Sequence, residues 1–472
     1  MGVIQFQVEH PEYVPRHGLN HADFVMFDGR ILASETSLSN GILKCHRPQT
    51  HSSLLRLLYQ LDENQTPQIT HSTSLRETDT DYRLEVELAR GELSRLRNYY
   101  DMWRGAGLQA SPELDARLRK AQQVFFHSAM SSGTADGAVE SLRMAQNAIE
   151  ELCQLYTSQR LVFRRQRSAH FPIFVGCRLS EMPSDPDRYL EAFSAVGMET
   201  SWALLEPEDG RYEWDRTDAV VDWAQSEKLF IFGGPLIDLA SQQFPEWMQA
   251  WKGDIVNLQS FASDFVETVV GRYVGRIRHW EVVCGANCGG SAGLTEEQRL
   301  NLVIWAVEAA RQVDEQIQIS LRVVQPWGEY LNDTANRLTP IQFIDTLRRT
   351  GVQITEANLE IRFGMGGRQS LPRDHLALSQ LLDHWSLLQM PLNVVLALPE
   401  HPGGDSDDFA SQQSTWLQNT LLMCLSKERV SGVYCDSLYD STRGTGMIRP
   451  DGSLHPAWEQ LVRIEEEYWP AT

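Results

Sequence analysis

Residues 280–287 read Trp-Glu-Val-Val-Cys-Gly-Ala-Asn, and this stretch has the pattern of a strand and the turn that ends it. The run from His279 to Val283 predicts a buried strand, because it is rich in aromatic and β-branched residues and Gly285 soon breaks it. Seven further short apolar runs share this character and are separated by amphipathic, helix-like stretches. The eight candidate strands are 173–177, 200–205, 230–233, 279–283, 318–323, 358–362, 393–398 and 432–435.

Eight strands that alternate with helices predict an α/β fold of the (β/α)8 TIM barrel type. Parallel strands need long crossover connections, which are usually helices, and eight such units close a barrel. An open, doubly wound sheet is the alternative, but no glycine-rich phosphate loop follows the first candidate strand.

The chain divides by pattern into three parts. Residues 1–84 hold short apolar or alternating runs separated by turn residues, which predicts a small β-sandwich-like module. Residues 85–168 contain few glycines or prolines and have apolar positions at three- and four-residue spacing, so we predict a helical connector. Ser111-Pro112-Glu113 is typical of a helix start. Residues 169–472 hold the predicted barrel.

Composition limits the classes of partner. The 472 residues include 42% hydrophobic ones, which is enough for a large core, and the formal net charge is -21. Such a charge disfavours nucleic acid or an anionic membrane surface as a partner, because both would repel the protein. We find no secretory pattern at the start and no run long enough to span a bilayer, so we expect a cytoplasmic location. The sequence does not indicate an oligomeric state.

The seven cysteines favour free thiols over a disulfide framework, since they are odd in number and scattered. Cys284 and Cys288 are the only close pair. No second close Cys or His pair accompanies them, so we predict neither a metal site nor another cofactor.

Four motifs follow one another in order between residues 171 and 468. They are Trp202-x-x-x-Glu206-Pro207-x-x-Gly210-x-Tyr212-x-Trp214, Gly233-Gly234-Pro235-Leu236, Arg272-Tyr273-x-Gly275-x-Ile277-x-x-Trp280-Glu281 and Asp451-Gly452-x-x-x-Pro456-Ala457-Trp458. This series resembles glycoside hydrolase family 10, the endo-xylanases. The resemblance implies a barrel related to hydrolases of β-linked polysaccharides or oligosaccharides, with carbohydrate as the ligand.

The usual catalytic residues of that family do not carry over to this chain. The acid glutamate of the family, which follows an asparagine, would stand at Gly285, where this chain has Cys284-Gly285. The nucleophile of the seventh strand is replaced by the apolar run of residues 395–398. Two functions therefore stay open: a divergent glycoside hydrolase, or a non-catalytic pseudoenzyme that binds carbohydrate or a protein partner.

Candidate site residues are those that follow the strands, because barrel active sites form at the carboxyl ends. The catalytic candidates are Glu329, which has aromatic neighbours, Glu400 after the seventh strand, and Asp238 after the third. A carboxyl near apolar rings tends to have a raised pKa, which suits a general acid. The substrate-binding candidates are Trp327, Trp247, Asn287, Gln325 and Tyr330.

Two other glutamates are expected to have structural roles. Glu206 precedes a proline inside its motif and is interpreted as a scaffold residue. Glu360 is expected to lie within its strand, paired with Arg362 or Arg322 in the barrel interior.

Overall fold

The computed structural model divides into two compact units. One unit comprises Met1–Arg167 with Leu371–Gln380, and the other comprises Ser168–Ser370 with Leu381–Thr472. The structure describes residues 2–26, 29, 31–62, 66–130, 134–167, 171–240, 244–251, 253–290, 293–332, 335–364, 367–400, 407–440 and 444–468. No helix in these ranges is long and apolar enough to cross a membrane.

The first unit opens with two small sheets. The sheet orders are β4-β5-β1-β8 and β3-β2-β6-β7, and most neighbouring strands are antiparallel. This agrees with the β-rich amino-terminal region that the sequence predicts. The strands are β1 (Gly2–Gln7), β2 (Asp23–Val25), β3 (Ile31–Ala33), β4 (Glu35–Ser39), β5 (Ile42–Arg47), β6 (Ser53–Tyr59), β7 (Gln68–Leu75) and β8 (Tyr82–Arg83).

Three long helices complete the described part of this unit: α1 (Leu84–Gly105), α2 (Pro112–Ala129) and α3 (Ala135–Arg167). The helix start predicted at Ser111 is confirmed, since its hydroxyl accepts a hydrogen bond from the Leu114 amide at 3.1 Å. The helices and sheets share one hydrophobic core, in which Leu88 and Leu142 join Phe6 and Phe24.

Residues 371–380 are attached to this unit by polar contacts. The Arg95 guanidinium donates two hydrogen bonds to Asp374, each of 3.0 Å. The Ile69 amide donates to the Pro372 carbonyl at 2.8 Å. A bidentate pair of this kind fixes orientation as well as distance.

The second unit is a closed barrel of eight parallel strands, as the sequence predicts. Strand order runs β11-β10-β9-β17-β16-β15-β14-β13, and pairing of β11 with β13 closes the ring. The short β12 adds to the carboxyl end of β13. The strands are β9 (Phe174–Leu179), β10 (Ala195–Met198), β11 (Phe230–Gly233), β12 (Ile237–Asp238), β13 (His279–Cys284), β14 (Gln318–Val323), β15 (Glu356–Ile361), β16 (Leu392–Leu396) and β17 (Val430–Cys435).

Helices connect the strands and cover the barrel. Several begin with well-formed caps, such as Thr295 and Thr339, whose capping boxes satisfy the first amides of α8 and α9. The helices are α4 (Pro186–Ala192), α5 (Trp202–Leu205), α6 (Asp215–Ser226), α7 (Ile255–Arg272), α8 (Glu296–Val313), α9 (Pro340–Arg349), α10 (His375–Trp385), α11 (Asp407–Ser426) and α12 (Ala457–Tyr468).

The second barrel strand was predicted in the wrong place. Residues 200–205 were expected as a strand, but β10 precedes them and Trp202–Leu205 forms the one-turn helix α5. The Trp202 indole donates to the Glu206 carboxylate at 2.8 Å, and this contact stabilises a turn. The sequence does not reveal β10 because Ala195 and Gly197 are disfavoured in strands and Val196 is its only β-branched residue.

Candidate functional site

The barrel interior contains polar side chains, and those near the amino ends of the strands form a hydrogen-bonded network. The His279 ring and Glu356 are 3.1 Å apart. The Asn393 amide donates to Glu356 and to the Asn358 oxygen, each at 2.9 Å. All four residues lie on barrel strands, so the contacts join β13, β15 and β16 through their inward side chains.

The next layer is centred on the buried ion pair of Glu281 and Arg322. The Arg322 Nε lies 2.8 Å from Glu281 Oε1, and both side chains are almost inaccessible to solvent, with exposures of 5% and 1%. The Asn358 amide donates to the other Glu281 oxygen at 2.5 Å and to the Ser320 hydroxyl at 3.0 Å. Glu281 is therefore held by partners on β14 and β15.

At the carboxyl ends of the strands, three arginines surround Asp436. The Arg178 Nη1 lies 2.8 Å from Asp436 Oδ1, and the Arg322 Nη1 lies 3.4 Å from the same oxygen. Arg362 contacts the other oxygen. Burial alone would raise the Asp436 pKa, but the three positive charges outweigh burial and lower it below its ordinary value.

Glu360 is the third carboxyl of this cluster and is held more loosely. Its Oε2 lies 3.5 Å from Arg322 Nη1, and its Oε1 lies 3.7 Å from Arg362 Nε. This confirms the pairing expected from the sequence. Burial raises the Glu360 pKa above its ordinary value and the two arginines oppose that shift, while the negative charges of Asp436 and Asp238 add to it.

A shallow pocket lies beside this cluster. Its internal free volume is about 10 Å³, which is about what one water molecule needs. In the part of the chain that the structure describes, neither the Glu199 carboxylate nor the Ser201 hydroxyl forms a side-chain hydrogen bond. The lining residues are Arg178, Glu199, Ser201, Trp202, Pro235, Leu236 and Asp238.

Asp238 is the one sequence-predicted catalytic candidate that lines this pocket. It ends β12 opposite Cys284 of β13, and its Oδ1 accepts a hydrogen bond from the Ala240 amide at 2.7 Å. Arg178 and Glu199 line the pocket but are not among the residues predicted from the sequence. Arg178 is the next-to-last residue of β9 and Glu199 directly follows β10, so their position was a usable signal, but the misplaced second strand hid Glu199.

The other candidates lie on different loops. Asn287 is buried, and its amide bonds the Val324 backbone through both its nitrogen (2.7 Å) and its oxygen (3.2 Å). The Gln325 amide donates to the Gln369 carbonyl at 3.0 Å. The Tyr330 hydroxyl donates to the Leu338 carbonyl at 2.7 Å, and burial raises its pKa. These contacts brace the loops that follow β13 and β14.

The two tryptophan candidates are both partly exposed. Trp327 packs beside Phe363, with ring centroids 5.8 Å apart. The Trp247 indole donates to the Glu206 carbonyl at 3.1 Å, and the side chain is partly exposed. Glu206 is confirmed as a scaffold residue, since its carboxylate also accepts from the Gly210 amide at 2.9 Å.

The remaining carboxylate candidates lie farther along their loops. Glu329 begins a short 3-10 helix, Glu329–Asn332, and is half-buried. Glu400 lies four residues beyond the end of β16 and is also half-buried. The residues that follow it, 401–406, lie outside the described residues.

By the family resemblance, the catalytic glutamates are expected at Gly285 and at the end of β16. Gly285 has φ +70°, and an added Cβ would lie 2.5 Å from the Ala240 Cβ. A side chain at this position would therefore be strained and would clash. On β16, Val395, Leu396 and the following Ala397 are fully buried.

Among the described residues, no group of three or more His, Cys, Asp or Glu side chains is placed to hold a metal ion. Cys284 is buried, and burial raises its pKa well above the ordinary value, which disfavours the thiolate that metals bind.

Comparison with known proteins adds a family resemblance to this geometry. Residues 181–355 match the sequence model of Glycosyl hydrolase family 10. Endo-1,4-beta-xylanase B of Thermotoga neapolitana is 25% identical over 128 residues, which are 26% of this chain and 36% of that protein. The chain spans about a third or less of the length of the first curated relatives that it matches.

Two solved structures share the barrel. Native xylanase 10B of Thermotoga maritima has a TM-score of 0.51 and 16% identity, and the match covers 64% of this chain and 98% of that one. Xylanase 10B of Thermotoga petrophila RKU-1, solved with xylobiose, has the same score and identity and is covered to 96%. At this identity the likeness establishes the fold.

Proposed function

From the premise that the barrel is of the glycosyl hydrolase family 10 type, we propose that this protein binds a β-linked oligosaccharide or polysaccharide. The binding face is the carboxyl-end mouth of the barrel, where such folds place their sites. The observation that carries the proposal is an overlap: the pocket residues from Glu199 to Asp238 lie within the segment, 181–355, that matches the family.

The chemistry of the pocket supports a hydroxyl-rich ligand. The carboxylates of Glu199 and Asp238 accept hydrogen bonds, whereas the Arg178 guanidinium donates them. A sugar hydroxyl both donates and accepts, so one ring can satisfy both kinds of group. Trp202 lies at the pocket wall but is buried, whereas the partly exposed Trp247 and Trp327 stay predicted as sugar platforms.

A second candidate function is carbohydrate binding without turnover. Gly285 and the buried run of residues 395–398 favour it, because the glutamates that the family uses have no place there. For the alternative of a divergent hydrolase, Glu329 and Glu400 stay predicted as the carboxylates that replace the family's glutamates.

Binding is tested by calorimetric titration of the full chain. The ligands are β-1,4-linked xylohexaose and cellohexaose, with α-1,4-linked maltohexaose as the linkage control. We expect saturable binding of a β-linked oligosaccharide, at least tenfold weaker in Glu199→Gln. The matched control is Glu208→Gln, whose side chain is 70% exposed and lies outside the pocket.

Equal or absent heats for all three oligosaccharides would remove the glycan-binding function, and unchanged affinity in Glu199→Gln would remove this pocket as its site. Glu329→Gln and Glu400→Gln, titrated in parallel, test the two carboxylates predicted from the sequence.

A further inference from the structure

A row of aromatic side chains runs from the pocket wall to the surface of the barrel. Trp202 lies at the pocket wall, and its ring centroid is 6.4 Å from that of Trp247. The Trp247 ring meets Phe261 edge-on at 5.2 Å, with 84° between the ring planes. Phe261 in turn lies 5.9 Å from Trp251. We call these four residues the aromatic row, in which each ring contacts the next.

Solvent exposure rises along the aromatic row. Trp202 is buried, Trp247 and Phe261 are half-buried, and Trp251 at the outer end is 39% exposed. An exposed indole presents an apolar face that a ligand can cover, and the C–H faces of sugar rings are apolar surfaces that pack on it. Trp251 is therefore the member of the row with the most surface left for a ligand.

The aromatic row lies on the carboxyl-end side of the barrel, like the pocket. Trp247 and Trp251 belong to the 3-10 helix Glu246–Trp251, which follows β12, and Phe261 lies in the second turn of α7. The connection from a barrel strand to the following helix starts at the carboxyl end of that strand, which is where barrel sites form. The pocket and the outer ring of the row thus share one face of the barrel.

The row is held in place by contacts within the protein. The Trp247 indole donates to the Glu206 carbonyl at 3.1 Å, and the Glu206 carboxylate accepts from the Trp202 indole at 2.8 Å. The Trp251 carbonyl accepts a hydrogen bond from the Asp254 amide at 3.0 Å, and the Asp254 carboxylate caps α7. Rings that are ordered before a ligand arrives lower the entropy cost of binding.

The small size of the pocket makes contacts outside it necessary for a sugar ligand. Its internal free volume of about 10 Å³ suits about one water molecule, so it cannot enclose a sugar ring. A glycan that contacts Arg178, Glu199 and Asp238 must lie across the open mouth instead. A linear chain in that position has further sugar units beyond the pocket, and the aromatic row is an apolar surface that continues from the pocket wall.

We propose that Trp251 is a distal sugar platform. A β-linked glycan that contacts the pocket with one sugar unit stacks a later unit of the same chain on the exposed Trp251 ring. This inference rests on the proposed glycan binding and narrows its ligand class to chains of several sugar units, since three ring contacts separate Trp251 from the pocket wall.

The test compares affinity across chain lengths in calorimetric titrations of the full chain. The ligands are the β-1,4-linked xylose series from xylobiose to xylohexaose and the glucose series from cellobiose to cellohexaose. We expect Trp251→Ala to bind the hexaose about three- to tenfold more weakly than the wild type does, as loss of one stacking contact predicts. The shortest oligosaccharide that binds should bind both proteins equally, because it does not reach Trp251.

Two further variants separate stacking from other effects. Trp251→Phe keeps an aromatic ring and is expected to retain most of the hexaose affinity. Trp305→Ala is the matched control, because Trp305 is 37% exposed, close to the 39% of Trp251, but lies on α8 outside the aromatic row. Its affinities should equal those of the wild type at every chain length.

Hydroxyl-radical footprinting gives a readout that needs no variant. Oxidation of individual tryptophans in the wild type is measured by mass spectrometry, with and without saturating oligosaccharide. We expect the hexaose to protect Trp251 and the shortest oligosaccharide that binds to leave it unprotected. Trp305 should be oxidised equally in all samples.

The outcomes that overturn the inference are distinct from failure of the proposed function. Hexaose binding that is unchanged in Trp251→Ala, with Trp251 still oxidised in the complex, would remove the platform and leave glycan binding in place. An equal loss at every chain length, or the same loss in Trp305→Ala, would refute stacking at Trp251. Self-association of the wild type in sedimentation velocity that Trp251→Ala abolishes would assign this surface to a second copy of the chain instead. Absence of binding by every β-linked oligosaccharide would refute the proposed function together with the platform.

Discussion

Replacing Arg322 with methionine tests whether the ion-pair network holds the barrel mouth together. The change removes one buried positive charge that contacts Glu281, Glu360 and Asp436. Asp436 keeps two arginines and Glu360 keeps Arg362, so Glu281 is the carboxylate left without a charged partner.

The expected loss of stability is that of leaving the buried Glu281 carboxylate without its ion-pair partner. Breaking a buried pair by removing one partner costs about 3–5 kcal/mol. We therefore expect Arg322→Met to lower the opening free energy of β14 amides by that amount, measured by hydrogen exchange of individual peptides. This measurement suits a chain of two compact units, in which a single unfolding transition is not assured.

The matched control is Arg211→Met, which breaks a surface pair. Arg211 is 61% exposed and contacts Glu208 at 3.1 Å and Glu213 at 3.6 Å, so the loss should be about 0–1 kcal/mol. If Arg322→Met costs no more than this control, or stabilises the barrel, the network does not have the structural role described for it.

Three further predictions concern stability. Gly233→Ala would place a methyl group 2.6 Å from the Trp280 ring, and overpacking of this kind should cost about 1–3 kcal/mol in a thermal unfolding scan. Gly285→Glu should lower the melting temperature and create no glycosidase activity, because its Cβ would lie 2.5 Å from that of Ala240. Burial raises the Glu465 pKa to about 7, so the folded state retains a proton that the unfolded state releases near pH 4.5, and stability falls as pH rises between those values. Glu465→Gln should therefore raise the melting temperature at pH 8 and leave it unchanged at pH 4, which calorimetry at both pH values measures. If the variant and the wild type melt at the same temperature at pH 8, the raised pKa of Glu465 is contradicted.

Most of the barrel could be predicted from the sequence because its strands are apolar, rich in β-branched or aromatic residues and bounded by turn residues. The runs at 230–233 and 318–323 match β11 and β14 to the residue. β10 is missed because Ala195 and Gly197 are disfavoured in strands, whereas Trp202 has strong strand propensity but forms part of a one-turn helix in this structure. There, tertiary contacts override local preference.

The candidate site was less predictable, since it depends on which side chains meet across the barrel. The pairing of Glu360 with Arg322 and Arg362 follows from strand alternation. Glu360 and Arg362 are two residues apart and Arg322 lies on the neighbouring strand β14, so all three are expected on the inner face. The convergence of Arg178 with Asp436 joins the first and last strands, 258 residues apart, and no local pattern encodes that.

The most direct test of the central claim is calorimetric titration of the full chain with β-1,4-linked xylohexaose and cellohexaose, alongside Glu199→Gln. We expect saturable binding of a β-linked oligosaccharide by the wild type and at least tenfold weaker binding by the variant. Absence of binding of both oligosaccharides at millimolar concentrations, with maltohexaose giving the same trace, would contradict it.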